Sequence, residues 1–156
     1  MPNVSMFAEV EDAVRKVIEL IKDNGGGSVF LGGSCNPTTW RRDIAIPLLE
    51  ANSVKFYNPQ VDDWTPDLVE KEAAAKAEAA VLLFVIDSQT RSIASMIEAA
   101  ELIACGRRIV LVIQRMTEAA DSSTDLKDCN RGRAYLEDQV ARAEQAEREV
   151  KKQKVA

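Results

Sequence analysis

The stretch Val81-Leu82-Leu83-Phe84-Val85-Ile86-Asp87-Ser88 decides the fold class. Its apolar run has neither the alternation of a half-buried strand nor the length of a buried helix, and Asp87-Ser88 closes it abruptly. Such a run marks a strand buried on both faces of a parallel sheet. A second one, Ile109 to Ile113, follows. Between them Ile93, Ile97, Ala100 and Ala104 form the apolar stripe of a helix that ends at Gly106.

Reading outward, the alanine- and glutamate-rich segment Asp67 to Glu78 is a helix by propensity, with Thr65-Pro66 as N-cap and first helical residue. Upstream, Val54 to Tyr57 reads as a strand. Trp40 to Ala51 is helical with a kink or break at Pro47, and Ser28 to Leu31 is a strand stopped by Gly32-Gly33. The first helix runs from Phe7 to Lys22 and stops at Asn24-Gly25-Gly26-Gly27. Downstream, Met116 to Asp128, with Ser122-Ser123, reads as a polar loop. A charged helix follows from Arg133, with Leu136, Val140, Ala143 and Val150 on one side. Strands alternating with helices in one chain of 156 residues give a single α/β domain, residues 1–156, with right-handed crossovers.

Composition excludes several classes of function. There is no histidine, so histidine bases, Ser-His-Asp and Cys-His pairs, and histidine-bearing zinc sites are ruled out. Acid–base chemistry falls to carboxylates, Lys, Tyr or Cys. The net charge of −5 argues against nucleic acid or an anionic membrane as partner. Cys35, Cys105 and Cys129 make neither a disulfide framework nor a metal site, which points to a reducing compartment. No apolar run approaches the ~20 residues of a membrane span, and the acidic N-terminal segment is unlike a signal peptide. The expectation is a cytoplasmic protein without cofactor or metal.

Ligands of open α/β sheets bind beyond the carboxyl ends of the strands. Those ends carry Gly32-Gly33-Ser34-Cys35-Asn36, then Asn58-Pro59-Gln60 with Asp62-Asp63-Trp64, then Asp87 to Ser92 leading to Ser95 and Glu98. The glycine pair is either a plain strand-to-helix turn or a place where backbone N–H groups approach a ligand. GxGxxG and Walker A are both absent, which speaks against a dinucleotide. Glu98 is either the far end of a Ser95-x-x-Glu98 capping box or a carboxylate at the site. Asp87 is a helix cap or a ligand contact. Asp62 and Asp63 are turn residues or site residues, Trp64 is a lid on the core or a wall, and Glu72 is solvent-exposed by default.

The order VFLGGSCNP, FYNPQVDDW, E-x6-AAVLLFVID and TRSIASMIEAAELIACGRRIVLVI resembles the nucleoside 2-deoxyribosyltransferase-like superfamily, with its deoxynucleoside monophosphate N-glycosidase relatives. The resemblance runs from Val29 to about Ile113, and more loosely from Asp128 to Leu136. It implies a chemistry that needs no histidine. Glu98, followed by Gly106, Arg107 and Ile109, falls at the family's nucleophilic glutamate, which attacks C1′ of a deoxyribosyl group and forms a covalent glycosyl-enzyme. Glu72 falls nearest the acid that protonates the leaving base, with Asp87 or Asp63 as substitutes. Gly33 and Ser34 match the turn that holds the sugar, and Gln60 is placed to read a base edge. Ser92 falls at the 5′ end of the sugar or a phosphate. Asn130 matches the residue that relatives lend across a dimer. Two positions depart from the family. Phe30 stands where the family has a tyrosine that orients the glutamate. Asn36 stands at the phosphate-binding arginine, against a monophosphate substrate unless Arg91 substitutes.

The resemblance implies a doubly wound, flavodoxin- or Rossmann-like parallel sheet with extra terminal helices. In chain order of the four strands above, the expected sheet order is 2-1-3-4, with a fifth short strand allowed. Expected binding residues are Gly32, Gly33, Ser34, Asn36, Asn58, Gln60, Asp63, Trp64, Ser92, Ser95 and Asn130 around Glu98, Glu72 and Asp87. The expected partners are a nucleoside or nucleotide and a second copy of the chain, as a homodimer or larger homo-oligomer. The alternative is a catalytically silent nucleoside-like binding or protein-interaction module on the same fold.

Overall fold

The computed structural model describes residues 3–117 and 124–156. Five parallel strands form one sheet: β1 (Val4–Phe7), β2 (Ser28–Gly33), β3 (Lys55–Tyr57), β4 (Val81–Ile86) and β5 (Ile109–Ile113), in the order β1-β5-β4-β2-β3. The helices are α1 (Val10–Asp23), α2 (Ile46–Ala51), α3 (Leu68–Glu78), α4 (Ile93–Ala104) and α5 (Thr124–Val155).

The four expected strands lie in the expected order. The fifth comes from the N-terminus and pairs with β5. Phe7, expected in the first helix, ends this edge strand instead. A strand of four residues, only partly buried, carries too little pattern to be read alone.

Alternate side chains of the central strands feed two cores. Val29, Leu31, Leu83, Val85, Val110 and Val112 pack with α1 and α2 on one face. Phe30, Leu82, Phe84, Ile86, Leu111 and Ile113 pack with α4 and α5 on the other. Both faces are covered, which is why β4 and β5 are apolar at every position.

Gly32 and Gly33 continue β2 rather than stopping it, in register with Phe84 and Val85. A Cβ on Gly32 would lie 2.5 Å from the Phe84 ring, and one on Gly33 (φ +104°) 2.2 Å from the Val85 carbonyl oxygen. The pair is thus required by the sheet itself.

The break at Pro47 takes a specific form. Arg41–Ala45 make a π-helical turn, with Ile46 N–H donating to the Arg41 carbonyl, and α2 follows. The wider turn accommodates a residue with no N–H to give. α3 starts at Leu68, and Thr65-Pro66 form the turn before it rather than its cap and first residue.

Two apolar stripes are corrected. On α4 it is Ala99 and Ile103 that are buried, with Met96 and Ala100 packed beside them, whereas Ile93 and Ile97 are 55% and 66% exposed. The helix is apolar nearly all round, so periodicity could not say which side faces the sheet. On α5, Leu136 and Val140 are buried against the chain's own sheet while Val150 is exposed. That stripe therefore needs no partner to cover it. Of the expected loop Met116–Asp128, residues 118–123, Ser122-Ser123 among them, lie outside the described residues, and from Thr124 the chain is helical.

Candidate active site

Successive crossovers leave β2 and β4 in opposite directions, β2 towards β3 and β4 towards β5. The crevice between their carboxyl ends is the switch point at which such sheets bind ligands. A cavity of 510 Å³ lies there, within the range of small-molecule sites. Phe30, Gly32, Gly33, Ser34, Cys35 and Asn36 line it from the β2 end. Pro59, Val61, Asp62 and Trp64 line it from the loop after β3, and Glu72 from α3. Thr90, Ser92, Ile93, Ala94, Ser95 and Glu98 close the side towards α4.

Of the expected site residues, Gly32, Gly33, Ser34, Asn36, Trp64, Glu72, Ser92, Ser95 and Glu98 lie at this cavity. Asn58, Gln60, Asp63, Asp87 and Asn130 do not line it, and Asp62 takes the place expected for Asp63. The Gln60 amide is used within the protein, donating to the Asn36 side chain at 2.9 Å and the Thr38 carbonyl at 3.0 Å. Asn58 accepts from Gln60 N–H. These two residues brace the loops rather than face a ligand. Trp64 is exposed at the cavity rim and does not lid the core.

Asp87 is buried behind the wall, with its carboxylate accepting from Thr90 N–H (3.2 Å) and Thr90 Oγ1 (2.6 Å). Asn130 sits in α5, not in a loop before it. Its side-chain amide bridges the backbone N–H and carbonyl of Met116. Arg91 pairs with Asp125 at 2.6 Å instead of reaching the cavity.

One wall of the cavity is a cluster of hydroxyls. Ser34 Oγ lies 2.5 Å from Ser92 Oγ, and Thr90 Oγ1 lies 2.9 Å and 2.7 Å from the two. The Asp87 carboxylate can only accept, so the Thr90 proton goes to it and the serines orient around Thr90. Ser92 precedes α4 in a left-handed conformation (φ 56°), which turns its hydroxyl to this cluster. Such a wall suits a sugar hydroxyl or a phosphate oxygen.

Sequence reasoning did not pick out the two buried arginines that hold the strand ends. Arg41 donates from Nε to the Leu31 carbonyl (3.0 Å), from Nη1 to that of Ser34 (2.8 Å) and from Nη2 to that of Gly33 (3.2 Å). Its guanidinium carbon is 4.2 Å from the Trp40 ring centroid. Burial pulls this guanidinium down from its ordinary value, opposed by nearby Cys35 and Glu72. Arg133 donates from Nη2 to the Asp87 and Thr90 carbonyls, each at 2.7 Å, and from Nε to that of Gln114 at 2.7 Å. It too is lowered by burial. In sequence each looks like a helix-surface arginine, and no spacing rule marks it.

Glu72 on α3 and Glu98 on α4 both line the cavity. α4 begins at Ile93 with Ser92 at the cap position, so Ser95 and Glu98 both lie inside the helix and no capping box forms. Glu98 Oε2 instead accepts from Lys76 Nζ at 3.1 Å. Burial raises the Glu72 carboxyl above its ordinary value. Lys76 opposes that rise, Glu98 adds to it, and Arg41 opposes it. The site thus sets a carboxyl whose hold on a proton is strengthened by burial beside a carboxylate paired with a cation.

The family model described as "Nucleoside 2-deoxyribosyltransferase like" matches residues 26–116, more than half of the chain. The chain belongs to this family. Every residue lining the cavity falls within the matched segment. Membership in the nucleoside 2-deoxyribosyltransferase-like family supports a related glycosyl-transfer function and a nucleoside-type substrate. Among curated proteins, none matches the chain. Among the described residues, no helix is long and apolar enough to cross a membrane.

Proposed function

We infer that the protein cleaves or transfers the N-glycosidic bond of a 2-deoxyribonucleoside or a related nucleotide. The observation that carries this reading is the pairing of Glu98 and Glu72 across one cavity, with Glu72 raised by burial and Glu98 held by Lys76. Glu98 attacks C1′, forming a C1′–O bond while the C1′–N bond breaks. The bonding pair passes to the base nitrogen, which takes its proton from Glu72. Water or a second base then attacks C1′ of the glycosyl ester, gives a proton to Glu72 and frees Glu98. The Ser34–Thr90–Ser92 hydroxyls bind the sugar, and Phe30 supplies an apolar surface beneath it.

Incubation with each deoxynucleoside plus a foreign base tests the reading by chromatography. Free base or exchanged nucleoside is expected. Their absence across all four deoxynucleosides and their monophosphates overturns the reading. In that case the second reading stands, a silent binding module, which is favoured by Phe30 offering the cavity no hydroxyl. A second copy of the chain remains the proposed partner, now supported by exposed Ile93 and Ile97 on α4 rather than by α5. Light scattering at micromolar concentration checks it, since a mass of one chain at every concentration would refute it.

A further inference from the structure

Lys76 belongs to no motif picked out in the sequence, yet it is anchored three times. Its backbone carbonyl accepts from Arg107 Nη2 at 2.6 Å, and Arg107 also donates to the Ala79 carbonyl at 3.2 Å. Its ammonium stands 5.7 Å from the centroid of the Phe30 ring, within reach of the ring's negative face. From there it donates to Glu98 Oε2 at 3.1 Å. No residue of α3 is fully buried, so these contacts are specific ties between a lightly packed helix and the cavity. Lys76 also follows Glu72 by one helical turn, which puts the two on the same face of α3.

We propose that Lys76 is the positioning residue of the site, a single cation that Glu98 and Glu72 use in turn during glycosyl transfer. The idea rests on the glycosyl chemistry proposed above. In the proposed step Glu98 attacks as the anion paired with the Lys76 ammonium, and Glu72 carries the proton that it gives to the base. When Glu98 becomes an ester it loses its charge, and Glu72, having given its proton to the base, acquires one. The negative charge has moved from one neighbour of Lys76 to the other, and the cation between them compensates it in both states. Pairing on Oε2 leaves Oε1 to meet C1′. The anchors on Phe30 and Arg107 keep the ammonium in place while its partner changes, so little reorganisation accompanies the step. The charged groups around Glu72 fit this role: Lys76 on its own helix and Arg41 favour its ionised form, and Glu98 on α4 disfavours it.

The test compares wild type, Lys76→Met and Lys76→Arg in the base-exchange assay across pH. In Lys76→Met, kcat is expected to fall about 100-fold, the scale of a misplaced reacting group, with KM nearly unchanged. The basic limb of the profile, where Glu72 gives up its proton, should move to higher pH because its nearest cation is gone. Lys76→Arg keeps the charge and should recover most of kcat and the original limb. Wild-type kcat and an unmoved limb in Lys76→Met, or a change confined to melting temperature, would overturn the proposal. If wild type itself releases no base, the proposed function fails, and Lys76 is then judged by acetic anhydride labelling read by mass spectrometry. Labelling of Lys76 several-fold faster in Glu98→Gln than in wild type supports the hold of Glu98 on Lys76, and equal rates refute it.

Discussion

Replacing Glu98 by glutamine separates catalysis from stability, because the two consequences differ widely in size. The structural loss is one ion pair with Lys76, whose side chains are 24% (Lys76) and 41% (Glu98) exposed. A pair that open to solvent is screened and contributes at most about 1 kcal/mol. In a domain of this length that corresponds to a fall in Tm of roughly 2–4 °C. The amide fills the same space and still accepts a hydrogen bond, so the fall should lie at the low end. The chemical loss is the nucleophile. Removing a nucleophile from a covalent mechanism costs on the order of 10⁴–10⁶ in kcat, or roughly 5–8 kcal/mol of barrier. The assay is base exchange by chromatography beside thermal melting of the same preparation, with mass spectrometry for the glycosyl-enzyme. Wild type should show an adduct of one deoxyribosyl group and Glu98→Gln none. Turnover within tenfold of wild type, or a loss of activity explained by a melting temperature far below that of wild type, would refute the assignment of Glu98 as nucleophile.

Arg133→Met strips charged donors from the Asp87, Thr90 and Gln114 carbonyls and should cost about 3–5 kcal/mol in chemical denaturation; a cost below 1 kcal/mol would contradict its role as the clamp on the strand ends. At Ser92, glycine relieves the left-handed backbone and alanine does not, so Ser92→Gly should be more stable than Ser92→Ala by about 1 kcal/mol although both lose the hydroxyl. Equal melting of the two variants would count against strain at that residue. Glu72 binds its proton more tightly in the fold than in the unfolded chain, so its ionisation costs stability above the raised pKa, and the cost vanishes below the ordinary carboxylate value of about 4.3. Glu72→Gln should therefore raise Tm at pH 7 and leave it unchanged near pH 3.5; a gain that does not shrink on acidification would show that the surroundings do not disfavour the ionised carboxylate.

The sequence by itself determined the layers and many of the residues that line the cavity. Val81–Ile86 and Ile109–Ile113 are apolar at every position because both sheet faces are covered, and that composition can be read without coordinates. Glycine at 32 and 33, the hydroxyls at 34 and 92 and the carboxylates at 72 and 98 follow from strand ends and motif order, since ligands gather where parallel strands stop. Only the tertiary structure decided which side of α4 is buried, because an almost wholly apolar helix has no moment to orient it and the neighbouring α5 selects Ala99 and Ile103 over Ile93 and Ile97. It also decided that Asp87 stands behind the cavity, that the Gln60 amide is spent on the segment after β2, and that β1 joins the sheet edge. Lys76, Arg41 and Arg133 depend most on three dimensions. A long cationic side chain carries no periodic signal, and its role is fixed by which carbonyl, ring or carboxylate its far end meets, a contact made between segments distant along the chain.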